Sequence, residues 1–363
     1  MKRKVCVLTL FTAFLFAAVF WTGAAEPSPT RLSDQEFWKL SSDYSEPGGT
    51  FHSENLVSNE GLFQTVIPAL AKTAVPGHAY LGVGSEQNFS YIAALRPLIV
   101  FIVDIRRGNL DLHLTYKALF EMSTDRAEFV SRLFSRKLPE GLSATATAEE
   151  IFQAARKAVP DRALYDDNLK KIKSHLTEKH GFQLSQGDLE GIEYVYSAWF
   201  RSGPDIRYEL LNMGRGGPGR SAGTPTYAEL MTATDGEGQN RSYLATESSF
   251  KFLKDLESRN LLIPVVGNFG GAKALRAVGN YLKERKMTVS AFYVSNVEQY
   301  LRQEGIWEAF CANAATLPID ETSTIIRSTR GGPGGFRGFG GPSFAMTLVP
   351  MKPLVASCAA PAR

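Results

Sequence analysis

The stretch Ala79-Tyr80-Leu81-Gly82-Val83-Gly84 decides the fold of this chain. Its apolar residues predict a short buried strand, and its two glycines predict a tight turn where that strand ends. A helix is predicted over 86–96, where Pro97 stops it. The next strand is the apolar run Leu98–Val103, which ends at Asp104. An apolar run without alternation is typical of a strand buried on both faces, as in a parallel sheet.

The same strand, glycine turn, helix and strand return later in the chain. A strand is predicted over 261–266, a turn over 267–271, a helix over 272–285 and a strand over 288–294. Late strands are predicted over 324–327 and 344–349. The remaining predicted helices cover 61–72, 110–135, 147–158, 165–180, 186–201, 240–259 and 297–312. Strands that alternate with helices predict an α/β fold, Rossmann-like and doubly wound, with a mainly parallel sheet and a helical insertion between its two halves.

The predicted organisation has six parts. They are a signal peptide (1–25), an N-terminal extension (26–60), the first half of the Rossmann-like domain (61–135), a helical insertion with a glycine-rich loop (136–250), the second half of the domain (251–330), and a glycine-rich loop with a C-terminal strand and tail (331–363).

The first 25 residues differ from the rest of the chain. Lys2, Arg3 and Lys4 precede an uncharged apolar run, and small residues from Gly23 to Ala25 follow that run. This order is that of a secretory signal peptide, so a periplasmic or secreted protein is expected. The alternative is a membrane anchor formed by residues 5–25 when the signal is not cleaved.

Length and charge exclude few function classes. The chain has 363 residues and a formal net charge of +3, which gives no general argument for a nucleic-acid partner, and none is expected. Cys6 lies in the apolar run. Cys311 and Cys358 remain, and in an exported protein they form either one disulfide or two unrelated thiols.

The first glycine turn has the residue types of a ligand cradle. Gly82 and Gly84 let the backbone approach a ligand, and the following helix offers free N–H groups. Asp104, 22 positions after Gly82, can accept hydrogen bonds from a ribose. Arg106 and Arg107 can bind phosphate or carboxylate, and the alternative is that they pair with nearby acidic residues. Only one of the two arginines is expected to face the cleft.

The chain resembles class I S-adenosylmethionine-dependent methyltransferases in its glycine turn, in the acid that ends the second strand and in its later strand–loop–helix–strand. It also resembles an uncharacterised bacterial family with that predicted fold. The resemblance implies that Gly82 and Gly84 approach the methionine moiety, that Asp104 holds the ribose, and that Gly267 and Asn268 lie across the cleft at the end of the fourth strand. The residues predicted to bind an adenosyl or nucleoside ligand are Gly82, Gly84, Glu86, Gln87, Asn88, Asp104, Arg106, Gly267 and Asn268.

Three functions are weighed. The first is an exported methyltransferase-like protein that binds S-adenosylmethionine or another small nucleoside ligand. The second is a non-catalytic ligand-binding or interaction domain derived from that fold, and the third is an NAD(P)-dependent oxidoreductase. No residue is identified as catalytic, although His113 is a candidate to face a substrate. No metal site is predicted, because His175 and His180 are five residues apart and are not expected to share one helical face.

Overall fold

A six-stranded sheet forms the centre of the protein in a computed structural model, which describes residues 28–73, 75, 77–142, 144–208, 224–330 and 344–358. The strands are β1 Ala79–Gly82, β2 Ile99–Asp104, β3 Leu262–Val266, β4 Val289–Ser295, β5 Thr324–Arg330 and β6 Phe344–Pro350. They lie in the order β3-β2-β1-β4-β5-β6. The first five are parallel, and β6 is antiparallel to β5. The predicted mainly parallel, Rossmann-like α/β fold is confirmed.

Helices flank this sheet. They are α1 Asp34–Tyr44, α2 Ile67–Lys72, α3 Gln87–Leu95, α4 Arg107–Met122, α5 Arg126–Phe134, α6 Ala148–Lys157, α7 Arg162–Ser174, α8 Gln186–Ser202, α9 Tyr227–Thr232, α10 Glu247–Ser258, α11 Ala274–Glu284, α12 Val297–Gln303, α13 Trp307–Ala314 and α14 Met351–Cys358. The helices α4 to α10 separate β2 from β3 in sequence. α8 packs on α4 and α5, which ties these helices to the sheet domain.

The strands form where the apolar runs predict them because their side chains are buried on both faces. All residues of β1, β2 and β3 are buried. In the register of β1 on β2, Gly82 lies beside Ile102, and Asp104 lies beside Val266 of β3. The carboxyl ends of these strands therefore meet at one edge of the sheet.

Two long predicted helices are each interrupted. The helix predicted over 110–135 divides into α4 and α5, and the Asp125 side chain caps α5 by accepting from the Glu128 N–H. The helix predicted over 297–312 divides at Gly305, which has a positive φ of 70° and joins α12 to α13. The apolar pattern continues through both breaks, so it could not predict them. The short helices α9 and α14 were also missed.

The turn that follows α7 corrects the prediction about its histidines. Residues His175–Lys179 form a π-helical turn, in which a hydrogen bond joins the His180 N–H to the His175 carbonyl at 3.2 Å. A π turn has more residues per turn than an α-helix, so side chains five apart lie on the same side. The two imidazole rings lie 5.1 Å apart, and the prediction that they do not share a face is wrong.

Cys311 and Cys358 form a disulfide that joins α13 to α14, with their Cα atoms 5.4 Å apart. Of the two alternatives for these cysteines, the structure has the bond. The predicted signal peptide (1–25), the glycine-rich stretch around Gly214–Gly219 and the segment 331–343 lie outside the described residues. Among the helices within the described ranges, none has the length and hydropathy needed to span a membrane.

Candidate functional site

The carboxyl edge of the parallel strands is the candidate site. The direction in which strands are added reverses between β1 and β4, since β2 and β3 lie on one side of β1 and β4 to β6 lie on the other. In doubly wound folds, ligands bind in the crevice outside the carboxyl ends of the strands at this point. The predicted ligand residues follow β1, β2 and β3. Gly267 and Asn268 follow the third strand rather than the fourth, so they lie beyond β2 and not across the switch point from Gly82.

The side chain of Asn88 fills the space at Gly82. A Cβ atom on Gly82 would lie 2.0 Å from the Asn88 Oδ1 atom. That oxygen accepts a 2.9 Å hydrogen bond from the Tyr80 hydroxyl, and the Asn88 amide donates to the carbonyls of Val83 and Ser85. Glycine is therefore required at position 82 by the packing of the turn itself.

Two side chains of α4 fix the second glycine. Gly84 has a positive φ of 78°, and its carbonyl lies 2.8 Å from the Asn109 amide and 2.9 Å from Nε2 of His113. His113 is buried, and burial lowers the pKa of its imidazole to about 4. The structure thus places His113 inside the protein, as a neutral donor to the glycine turn.

Arg106 occupies both carboxylate oxygens of Asp104. Its backbone N–H and its Nε donate to Oδ1 at 2.9 and 3.0 Å, and its Nη2 donates to Oδ2 at 2.8 Å. The Nη1 group donates to the carbonyl of Glu54. Arg107 points elsewhere and pairs with Asp188 of α8 at 2.7 Å. Of the two arginines, Arg106 is therefore the one beside Asp104 at this edge, and it forms an internal ion pair there.

Two buried carboxyl groups lie near the ends of β1 and β4. Glu86, at the start of α3, accepts a hydrogen bond from the Ser58 N–H, and burial raises its pKa to about 7. Glu60 accepts from the Tyr293 and Ser295 hydroxyls of β4, both at 2.7 Å, and burial raises its pKa as well.

Gln87 joins this network to α3. Its side-chain amide donates to the Tyr293 hydroxyl at 2.7 Å, and that hydroxyl in turn donates to Glu60. Glu60 and Tyr293 could not be selected from the sequence, because an acid in a turn-rich segment and a tyrosine in a buried strand are both ordinary. Their pairing depends on the path of the segment that precedes α2.

We call residues 45–60 the covering segment, because they run across the carboxyl edge from β3 to β4. The Glu46 N–H donates to the Val266 carbonyl at 2.8 Å, and the Gly49 N–H donates to the Ile105 carbonyl at 2.8 Å. The contacts of Glu54 with Arg106, of Ser58 with Glu86 and of Glu60 with β4 follow in the same order. The N-terminal extension is therefore part of the candidate site.

Glu46 also occupies the end of a helix. Its carboxylate accepts from the backbone N–H groups of Asn268, Lys273 and Ala274 at 3.1, 2.6 and 3.1 Å, at the start of α11. Free N–H groups at a helix N-terminus attract anions. Here the protein provides the anion from its own covering segment.

The fold and this edge define the class: a Rossmann-like α/β protein in which the predicted ligand residues bind to other parts of the same chain. The chain belongs to the family described as Domain of unknown function (DUF7790), whose model matches residues 55–187 and 220–342. The matched ranges include Glu60, Glu86 and Asp104, and they include the helices between β2 and β3 except α8. No curated protein matches the chain.

Proposed function

We propose that this protein is an exported, non-catalytic ligand-binding or interaction domain built on a Rossmann-like fold. The observation that carries the proposal is the covering segment. Its Glu46 carboxylate occupies the N-terminus of α11, and its Glu54 carbonyl holds Arg106 beside Asp104. An adenosyl ligand at this edge would compete with groups of the protein itself. Those groups are part of the folded chain, so they lose no translational entropy when they bind, whereas a ligand does.

The methyltransferase-like hypothesis has support from the strand order, the glycine turn and the position of Asp104. The argument against it is the state of the Asp104 carboxylate. Three hydrogen bonds from Arg106 already use both oxygens, so a ribose diol that binds both of them would have to displace part of a charged partner that is itself buried. Breaking such a pair costs about 3–5 kcal/mol. S-adenosylmethionine therefore remains the ligand to test, and methyl transfer is the less favoured function.

The oxidoreductase hypothesis requires an arginine that is free to bind the 2′-phosphate of NADP. Arg106 is bound to Asp104 and Glu54, and Arg107 is paired with Asp188. A phosphate would have to displace one of these partners. The structure thus offers no separate observation in favour of this third function.

Export is supported by the disulfide between Cys311 and Cys358, because stable disulfides are typical of oxidising compartments. Intact-mass analysis after cell fractionation tests it. We expect a soluble exported form that lacks residues 1–25 and has no free thiol at positions 311 and 358. A full-length protein with free thiols in the cytoplasm would contradict export, and a full-length protein in the membrane would indicate the anchor.

Calorimetric titration of the purified protein with S-adenosylmethionine tests the central part of the proposal. We expect no saturable heat at about 1 mM ligand, the concentration at which a binding free energy of about −4 kcal/mol becomes visible. The same titration of Asp104→Ala is the control. Saturable binding to the natural protein that the Asp104→Ala substitution removes would establish an adenosyl site and overturn the claim that the protein's own groups occupy this edge.

A further inference from the structure

Three side chains from two separate elements converge at the C-terminal end of α4. The Nε2 atoms of His175 and His180 each lie 2.8 Å from the same Oε2 atom of Glu121. All three potential ligand atoms lie within 4.8 Å of one another. We propose that Glu121, His175 and His180 form a binding site for a divalent transition-metal ion, independent of the function proposed for the sheet edge.

The π-helical turn produces this arrangement. His175 begins the turn and His180 follows it, so the extra residue of a π turn brings both imidazoles to α4. Such turns are rare and are frequently found at functional sites. The ring of Phe182 stacks on His180 at 5.0 Å between centroids, which fixes the orientation of that imidazole. The cluster is therefore built by the backbone and held by packing.

The second nitrogen of His180 has the partner that a metal-binding histidine usually has. Nδ1 lies 2.6 Å from Oδ1 of Asp34 in α1. When Nδ1–H donates to this carboxylate, the Nε2 atom presents a lone pair to Glu121, which is itself an acceptor. A proton on Nε2 resolves that conflict in the metal-free protein, and a metal ion bound by Nε2 and Oε2 would replace this proton. Carboxylates that orient a metal-ligating histidine in this way are a recurrent feature of metal sites.

Two lysines show where positive charge is already placed. Lys117 lies 2.8 Å from Oε1 of Glu121, which leaves Oε2 for the histidines. The ammonium group of Lys179 lies 3.1 Å from Oε2 and 3.3 Å from Nε2 of His175. The Lys179 side chain is 58% exposed, so it can move into solvent. We infer that its ammonium group occupies the position that the metal ion would take.

The donor set defines the class of ion. Two imidazole nitrogens and one carboxylate oxygen suit zinc and its neighbours cobalt, nickel and copper better than magnesium or calcium. A tetrahedral zinc ion with bonds of about 2.0–2.1 Å holds its ligand atoms about 3.3 Å apart, so the 2.8 Å contacts must open slightly. The side of the cluster at Lys179 is open to solvent, and a water molecule would complete the coordination there.

Titration of the metal-free, tag-free protein with Co²⁺ tests the site, followed by competition with Zn²⁺. We expect the visible absorption of tetrahedral Co²⁺, lost when Zn²⁺ is added. In His175→Gln, affinity should fall by about 100-fold or more, because loss of a ligand exceeds the effect of removing its supporting partner. His52→Gln is the control, because His52 lies at the sheet edge. The affinity of this variant for Co²⁺ should be unchanged.

A second pair of variants does not depend on removing a ligand. Lys179→Ala should tighten binding several-fold, because the competing ammonium group is removed, whereas Lys173→Ala, whose lysine pairs with Glu193, should leave affinity unchanged. Absence of Co²⁺ and Zn²⁺ binding at about 1 mM would overturn the proposal. So would undiminished binding in a folded His175→Gln variant, or weaker binding in Lys179→Ala.

Discussion

Arg106 and Arg107 are neighbours in sequence with opposite surroundings. The Arg106 side chain is 10% exposed and bonds to Asp104 and to the Glu54 carbonyl, whereas the Arg107 side chain is 42% exposed. We expect Arg106→Ala to lower the free energy of unfolding by about 3–5 kcal/mol, because it leaves a buried carboxylate without its partner. Arg107→Ala should cost less than Arg106→Ala, because Arg107 is itself partly exposed and the buried Asp188 carboxylate keeps its hydrogen bonds to Ser185.

Urea unfolding of both variants measures this difference, and each variant is the control for the other. Asp188 keeps its hydrogen bonds to Ser185 in Arg107→Ala, so its carboxylate is not left without partners. Equal and small losses in the two variants would show that the pair of Arg106 with Asp104 is exposed to water in solution.

Glu86 gives the folded protein a dependence on pH. Burial raises the pKa of its carboxyl from 4.5 to about 7, so the folded protein retains a proton that the unfolded chain releases. The contribution of Glu86 to stability is therefore complete below pH 4.5 and is lost as the pH rises towards 7. The loss is about 3 kcal/mol, at 1.36 kcal/mol per pKa unit.

The difference in unfolding free energy between the natural protein and Glu86→Gln, measured from pH 4 to pH 8, isolates this effect. We expect the difference to shift in favour of Glu86→Gln across about pH 4.5–7, because glutamine does not ionise. The exposed Glu149 of α6 provides the control variant Glu149→Gln. A difference that does not change with pH would mean that Glu86 is ionised in the folded protein.

At the scale of elements, the strands were predictable and the helix ends were not. Runs such as Leu98–Val103 are apolar without interruption, and burial on both faces of a parallel strand requires that pattern. The break between α4 and α5 depends instead on a local competition, in which Asp125 caps a new helix rather than continuing the first. Apolar periodicity does not report that competition.

The histidine pair was missed for a related reason. The prediction that His175 and His180 do not share a face rests on the geometry of an α-helix. The sequence has no pattern that predicts a π turn. Gly267 was assigned across the cleft because the resemblance placed it at the fourth strand. Only the strand order shows that β3 lies beyond β2.

The disulfide fixes the C-terminal elements on the sheet domain. It closes a loop with a sequence separation of 47 residues between α13 and α14, which encloses β5 and β6. In the chain-entropy model, removal of such a bond costs about 4 kcal/mol. We expect Cys358→Ser to lower the free energy of unfolding by that order under oxidising conditions. Under reducing conditions the free energy of unfolding of Cys358→Ser should equal that of the natural protein. If Cys358→Ser were as stable as the natural protein under oxidising conditions, the disulfide would not contribute this stability.

At the scale of the molecule, the principal feature is the covering segment across the carboxyl edge. Its sequence is polar and turn-rich, and nothing in it indicates a partner. The partners come from four strands whose ends meet only in the folded sheet, so Glu46, Glu54 and Glu60 could not be assigned to the site from sequence. The glycine turn and Asp104 could be, because strand, turn and acid are adjacent in the chain.

Hydrogen–deuterium exchange over residues 45–60 tests the central claim most directly. The backbone N–H groups of Glu46 and Gly49 donate to carbonyls at the ends of β3 and β2. We predict that these amides are protected together with the strand ends, and that about 1 mM S-adenosylmethionine leaves their exchange unchanged. Rapid exchange of the segment without ligand, or exchange that slows when S-adenosylmethionine is added, would contradict a sheet edge covered by its own chain.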